Sequence, residues 1–340
     1  MRVGIWGGGF GTRVHLPGFR AQGNFEVVAL GSPERGPALA REHGVAQGFQ
    51  SLAAMLAECE LDLLAVASPP FDHRDAVLAA LARGLHVVCE KPLARTVAEA
   101  EAICEAAARA GTVCALNHEF RYLPALQALR ELVAADHLGP LRAIEYIYAS
   151  DKLRGEVARP RGWFFERARG GGISQANLSH QIDAASWLAG RAPLHATGYE
   201  RTANLRRHDA RGEFAGDAAD GSFALIEYGE GLVATCCADG TRAVPSVLVA
   251  VHGETRTAVS SGSAIVETAT FTVDREETAE LGLAPLAHAG LRAVDPYVPL
   301  FVSLLDDVVA AIERRAAPNL PTFAQGLATQ RVLEAVGYGR

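Results

Sequence analysis

The 340-residue sequence lacks a basic surplus: 32 Lys and Arg stand against 39 Asp and Glu, a formal net charge of −7. A nucleic-acid partner needs a concentrated basic face, and Arg201, Arg206 and Arg207 are local and flanked by acids. No nucleic-acid partner is therefore expected. There is also no uncharged apolar run near the ~20 residues that span a bilayer. Gly7, Gly8, Gly9, Gly11 and Arg13 interrupt any apolar stretch of the signal-peptide kind, so neither a membrane partner nor a secretory leader is expected. The six cysteines show no Cys-x-x-Cys spacing and lie in apolar strand or helix patterns, the usage of a reducing, cytoplasmic compartment. Adjacent Cys236 and Cys237 would face opposite sides of a strand and make poor partners for each other or for one metal. His180 and Asp183 are three apart with no second histidine at ligand spacing, so no metal site is expected.

What is present is the composition of a folded chain, 49% hydrophobic and 21% charged. The length suits two cores, and the pattern changes character after a helix at 125–135; the expected domains are 1–119 and 120–340. In the first, strand runs at 2–6, 26–30, 48–49, 61–67, 85–89 and 112–116 alternate with helical stretches opening at Thr12, Gly36, Ser51, Asp72 and Thr96. Six strands alternating with helices imply an α/β, doubly wound parallel sheet of the Rossmann kind. The first strand runs into Gly7-Gly8-Gly9-Phe10-Gly11-Thr12, an arrangement that aims backbone N–H groups and a positive helix end at a phosphate. Gly7 and Gly9 fill the first two places of G-x-G-x-x-G, but the third falls on Thr12, with Gly11 one residue early. A glycine-rich turn is the simpler alternative.

Cofactor choice is written after the second strand, where an acid would take the ribose hydroxyls of NAD. Here the stretch is Gly31-Ser32-Pro33-Glu34-Arg35. Ser32 with Arg35 suits a 2′-phosphate and hence NADP, while Glu34 keeps NAD open. The fifth strand ends in Cys89-Glu90-Lys91-Pro92; proline cannot continue a ladder, so Lys91 is held where the strand leaves the sheet, the end that faces ligand in such folds.

Beyond residue 120 the pattern alternates with period two at 141–150, 194–203, 221–229, 231–239, 246–252, 256–260 and 264–273, which implies a mainly antiparallel sheet. Gly229-Glu230-Gly231 reads as a hairpin turn, 204–220 as a polar mobile loop, and 125–135, 297–315 and 323–336 as helices. Gly170-Gly171-Gly172 leads a helix closed by Gly190, on which Ala176, His180 and Asp183 share a face with Asn177 beside it. His180 reads either as a site residue or as a core histidine. Arg154, Arg159, Arg161 and Trp163 precede the triplet and suit an anionic group and a sugar face, or a solvated basic loop.

The glycine loop, Ser68-Pro-Pro-Phe-Asp-His73, Cys89-Glu-Lys-Pro92, Phe120-Arg-Tyr-Leu-Pro124, Gly170–Gly172 with His180-Gln-Ile-Asp183, and the closing stretch 323–335 occur in one order. This set resembles the glucose-fructose oxidoreductase and inositol dehydrogenase family, also called Gfo/Idh/MocA. The resemblance implies a Rossmann domain for NADP or NAD and an α+β domain with an open-faced sheet for substrate and for homodimer or homotetramer contacts. It further implies hydride transfer at a sugar or polyol carbon, with Lys91 as the catalytic acid/base and His180 orienting substrate and shuttling the proton. Cofactor contacts would come from Gly7, Gly9, Phe10, Gly11, Thr12, Ser32, Arg35, Ser68, Pro69, His73, Glu90, Lys91 and Asn117. Substrate contacts would come from Lys91, Arg121, Trp163, Asn177 and His180. In many dehydrogenases of the family an aspartate stands one turn before the histidine, and here that place is Ala176. The departure sustains a second expectation, a non-catalytic cofactor- or sugar-binding sensor of the same fold.

Overall fold

The computed structural model describes residues 1–262, 268–272 and 278–339. They form two compact units, Met1–Tyr122 with Leu286–Leu327, and Leu123–Pro285 with Ala328–Arg340. In the first, β1 (Arg2–Trp6), β2 (Glu26–Gly31), β3 (Gln47–Phe49), β4 (Leu63–Val66), β5 (His86–Cys89) and β6 (Cys114–Leu116) alternate with α1 (Leu16–Gln22), α2 (Gly36–Glu42), α3 (Leu52–Glu58), α4 (Pro70–Leu81) and α5 (Val97–Ala110). The strands pair parallel in the order β3-β2-β1-β4-β5-β6. The order reverses between β1 and β4, the point at which open α/β sheets bind ligand beyond their carboxyl ends.

Sheets covered on both faces are apolar at every position. Leu63, Leu64, Ala65 and Val66 are all fully buried, and alternate residues enter different cores. Val3, Ile5, Leu63 and Val88 pack with Val14 and Phe19 on one side; Trp6, Leu64, Val66 and Val87 pack with Val77, Ala100 and Ile103 on the other. Ser51 and Thr96 cap α3 and α5 by accepting from the N–H groups of Ala54 and Glu99.

The second unit opens with α6 (Pro124–Ala134) and β7 (Leu141–Ala149), and then a wide π-helical turn at Ser174–Leu178 leads into α7 (Ser179–Ala189). Next come β8 (His195–Arg201), β9 (Arg206–Asp209), β10 (Gly212–Ala215), β11 (Gly221–Gly229), β12 (Leu232–Asp239), β13 (Ser246–Gly253), β14 (Thr257–Gly262), β15 (Thr268–Thr272) and β16 (Thr278–Glu280). Eight strands run in the order β16-β15-β14-β13-β7-β12-β11-β8, with β7 and β12 parallel and the other pairs antiparallel. Ile144, Tyr146, Ala224, Ile226 and Cys236 are buried, whereas Tyr199 and Leu225 on the opposite face are 58% and 50% exposed. The backbone turns through positive φ at Gly229, Glu230 and Gly231, as the hairpin between β11 and β12 requires.

Two sequence expectations need revision. The stretch 204–220 is not a bare loop: β9 and β10 form an antiparallel hairpin, anchored by Arg207, whose buried guanidinium lies 3.0 Å from the buried Asp220 carboxylate. The expected domain 120–340 is interrupted, because 286–327 returns to the first unit. There α8 (Val298–Ile312) buries Val298, Phe301, Val302, Leu305 and Val308 in the same core as Val14 and Phe19. Gly18 permits this approach, since a Cβ there would lie 2.5 Å from Phe301. α9 (Phe323–Ala335) belongs to the first unit as far as Leu327 and to the second from Ala328. Of the strand expected at 264–273, residues 264–267 and 273 lie outside the described residues.

Candidate functional site

The glycine loop follows β1. A Cβ on Gly7, whose φ is +131°, would sit 2.2 Å from the Ala67 carbonyl carbon, so only glycine lets the end of β4 approach this closely. A Cβ on Gly9 would meet no protein atom within 4 Å, leaving room for another group. The helix then starts with a π-helical turn, Gly11–His15, closed by the Leu16 N–H on the Gly11 carbonyl. A Cβ on Gly11 would lie 3.0 Å from Ile5 and 3.3 Å from Ala67. Gly11 thus performs the close helix–strand packing for which the third glycine of the fingerprint is used. Thr12 instead donates its hydroxyl to the Gly8 carbonyl at 2.7 Å. Ser32 stands against the same loop, 3.6 Å from where a Gly8 Cβ would be. Phe10 lies tilted against Tyr297, and Arg35 is exposed and paired with Glu42 at 2.9 Å.

Lys91 follows the end of β5, half-buried, with a cis peptide to Pro92. The His73 ring lies between the Ser68 carbonyl, 2.8 Å from Nε2, and the Pro92 carbonyl, 2.9 Å from Nδ1. It therefore joins the end of β4 to the turn that carries Lys91. Burial pulls the Lys91 ammonium below the ordinary lysine value, and the negative charges of Glu90 and Glu119 work against that pull. The Glu90 carboxylate receives Nε2 of His15 at 2.8 Å and Nδ2 of Asn117 at 2.6 Å, both on Oε1. Burial pushes its carboxyl up, but His15, Lys91 and Asn117 together hold it below the ordinary value.

The structure brings Gly7, Gly9, Gly11, Thr12, Ser32, Ser68, Glu90, Lys91 and Asn117 to the carboxyl ends of one sheet. Two expected contacts have other work. His73 is completely buried on two backbone carbonyls, and Arg121, 2% exposed, reaches the Asn319 carbonyl and Gln325 Oε1 at 3.3 and 3.2 Å. Both hold chain segments in place. His15 went unnoticed in the sequence because a lone histidine in an apolar helical stripe reads as core.

In the second unit the glycine triplet accommodates backbone rather than ligand. A Cβ on Gly171 would lie 2.3 Å from the Phe164 carbonyl, and one on Gly172, at φ +99°, 2.9 Å from the Ala219 N–H. The π-helical turn carries Ala176 and Asn177, both half-buried, and α7 carries His180 and Asp183, both buried. The wide turn shifts Ala176 and Asn177 out of the regular 3.6-residue register with His180. Trp163 stands edge-on to Phe164, Arg159 lies 4.9 Å above the Phe164 ring, and Arg161 is bound by both oxygens of Asp209 at 2.9 Å.

The first unit's residues fit a nicotinamide dinucleotide. The loop gives backbone access at Gly9, and two buried polar atoms at the ligand-facing strand ends, Ser68 Oγ and Asn117 Oδ1, have no partner among the described residues. Among the described residues no cluster of His, Cys, Asp and Glu could hold a metal, and no helix is long and apolar enough to cross a membrane.

Residues 1–118 match the family model described as "Oxidoreductase family, NAD-binding Rossmann fold", and residues 126–259 match the GFO/IDH/MocA C-terminal domain. An uncharacterized oxidoreductase of Synechocystis sp. is 32% identical over 197 residues, 56% of this chain and 52% of that relative. The 1,5-anhydro-D-fructose reductase of Ensifer adhaerens is 30% identical over 221 residues, 63% of this chain and 62% of the relative. The match thus spans half to just under two-thirds of these relatives' length. The structure of an NAD binding oxidoreductase from Klebsiella pneumoniae superposes with a TM-score of 0.84 at 20% identity, covering 99% of this chain and 95% of that one, which shows a shared fold. With one family model on the Rossmann sheet and the other on the second unit, the chain belongs to the Gfo/Idh/MocA oxidoreductase family.

Proposed function

We propose that the protein is an NAD(P)-dependent oxidoreductase that moves a hydride between nicotinamide and the CH–OH carbon of a sugar, polyol or related hydroxy-carbonyl compound. The observation that carries this reading is Lys91: half-buried at the ligand end of β5, with burial favouring its neutral amine. When bound, the nicotinamide accepts or supplies the hydride. The chain's own task is the proton. A hydroxyl carbon losing hydride must also lose its O–H proton, and an amine of lowered pKa beside the ligand can take it. His180 is proposed to orient the substrate and relay a proton, and Asn177 and Trp163 to contact the substrate. The name of the Ensifer relative, a reductase of an anhydro-sugar, supports the substrate class.

NADP is the proposed preference. No acid stands at Ser32, and Arg35 is tied by an exposed pair with Glu42 that is worth about 0–1 kcal/mol and is readily exchanged for a phosphate. The exposed Tyr199 and Leu225 of the second sheet support a homodimer or homotetramer through that face, which sedimentation at the monomer mass would contradict. Six free cysteines suit a reducing compartment, so the cytoplasm is the proposed location.

Fluorescence titration with NADPH and NADH, followed by a sugar and polyol panel read as NAD(P)H formation, tests the proposal. Tighter binding of NADPH and turnover on at least one compound are expected. Tight cofactor binding with no hydride transfer across the panel would favour the second reading, a cofactor- or sugar-binding sensor, for which Ala176 is the supporting feature. Binding of neither nucleotide contradicts both the cofactor site and the role given to Lys91.

A further inference from the structure

His15 is fully buried at the end of the first helix's opening turn. Its ring stacks on Phe301 with centroids 4.2 Å apart and meets Phe10 and Phe19 edge-on. Among the described residues its one polar contact in this apolar cage is the 2.8 Å bond from Nε2 to Glu90 Oε1, and Nδ1 has no partner. Burying an imidazole with one nitrogen unbonded is unfavourable. A phenyl ring would fill the cage without that penalty, so the bond to Glu90 is what distinguishes a histidine here.

We propose that His15 is a positioning residue that acts through Glu90: together with Asn117 it pins the carboxylate and so maintains a fixed negative charge beside Lys91. The proposal rests on the reading of Lys91 as the acid/base. The charges facing Lys91 are Glu90 and, from the 3-10 turn Glu119–Tyr122, Glu119. Facing Glu90 are the His15 imidazole from the first helix, the Lys91 ammonium and the Asn117 amide after β6. Without the His15 bond, burial dominates at Glu90 and the carboxyl takes up a proton more readily. Lys91, deprived of that charge, then releases its own proton at lower pH.

The chain contains two lysines, Lys91 and Lys152. Reductive 13C-methylation of the whole protein therefore yields two side-chain amine signals by NMR, with Lys91→Met to assign them and Lys152 as internal reference. His15→Phe, which keeps the ring stack, is expected to lower the Lys91 titration midpoint by about one unit, and Glu90→Gln to lower it similarly. The double variant should fall no further than Glu90→Gln alone, because His15 acts through that carboxylate. His15→Gln, whose amide nitrogen is as many bonds from Cβ as Nε2, should restore the midpoint toward the parent value. An unmoved midpoint in a folded His15→Phe protein, or additive shifts in the double variant, would overturn the proposal. If His15→Phe does not fold, an unmoved midpoint in Glu90→Gln overturns it equally. These titrations need no substrate, so their failure removes the positioning role alone, whereas retained turnover in Lys91→Met removes the catalytic reading alone.

Discussion

His73 shows how a side chain can serve a site without entering it. Two carbonyls, of Ser68 and Pro92, face its ring, and a neutral imidazole donates to one of them. Burial holds its pKa below the ordinary 6.5, outweighing the two carbonyls and the charges of Glu90 and Asp72, which raise it. The unfolded chain therefore binds a proton below about pH 6.5 that the folded chain refuses, and stability must fall as pH drops through that window. Urea midpoints at pH 7 and pH 5 are expected to show this loss and His73→Gln to reduce it; an unchanged loss would contradict the assignment. Lys91 and Glu90 were legible in the sequence because a strand end followed by a proline marks a position. The internal partners of His73, Arg121 and His15 were not legible, because spacing says nothing of which carbonyl or carboxylate a buried side chain finds.

The loop Gly7–Gly11 separates two demands on glycine. Gly7→Ala would drive a Cβ into the Ala67 carbonyl at positive φ, and a loss on the order of 2–4 kcal/mol in urea unfolding is expected. Gly9→Ala meets open space within the protein, so stability should hold within about 0.5 kcal/mol while NADPH affinity falls, because the backbone can no longer approach the pyrophosphate. Equal affinity in Gly9→Ala and the parent would contradict the loop's role as the phosphate cradle. The alternation of strands and helices in the first unit was legible because doubly covered strands are apolar throughout and the helices carry clear caps. The π-helical turns at Gly11–His15 and Ser174–Leu178 were not, since an i→i+5 turn inserts a residue that a 3.6-residue period cannot register. That is why a single helical face through Ala176, His180 and Asp183 was expected.

At the scale of the whole chain, two sheets of different construction divide the labour. The parallel sheet is apolar on both faces and presents its polar residues only at the strand ends, where Ser68, Lys91 and Asn117 stand. The second sheet buries one face and leaves Tyr199 and Leu225 exposed on the other. The change of period near residue 140 made this division legible. The return of 286–327 to the first unit was not, because an apolar helical stripe in α8 states that it is buried without stating against what. The same holds for the β9–β10 hairpin, whose order depends on Arg207 meeting Asp220 thirteen residues away.

The central claim is that Lys91 moves the proton that accompanies hydride transfer. The measurement that tests it most directly is Lys91→Met assayed for turnover on a compound found in the sugar and polyol panel, beside its affinity for NADPH. The expected result is a loss of turnover of about 10²–10⁴-fold with NADPH affinity within a few fold of the parent. Turnover within about tenfold of the parent, with cofactor still bound, would contradict it.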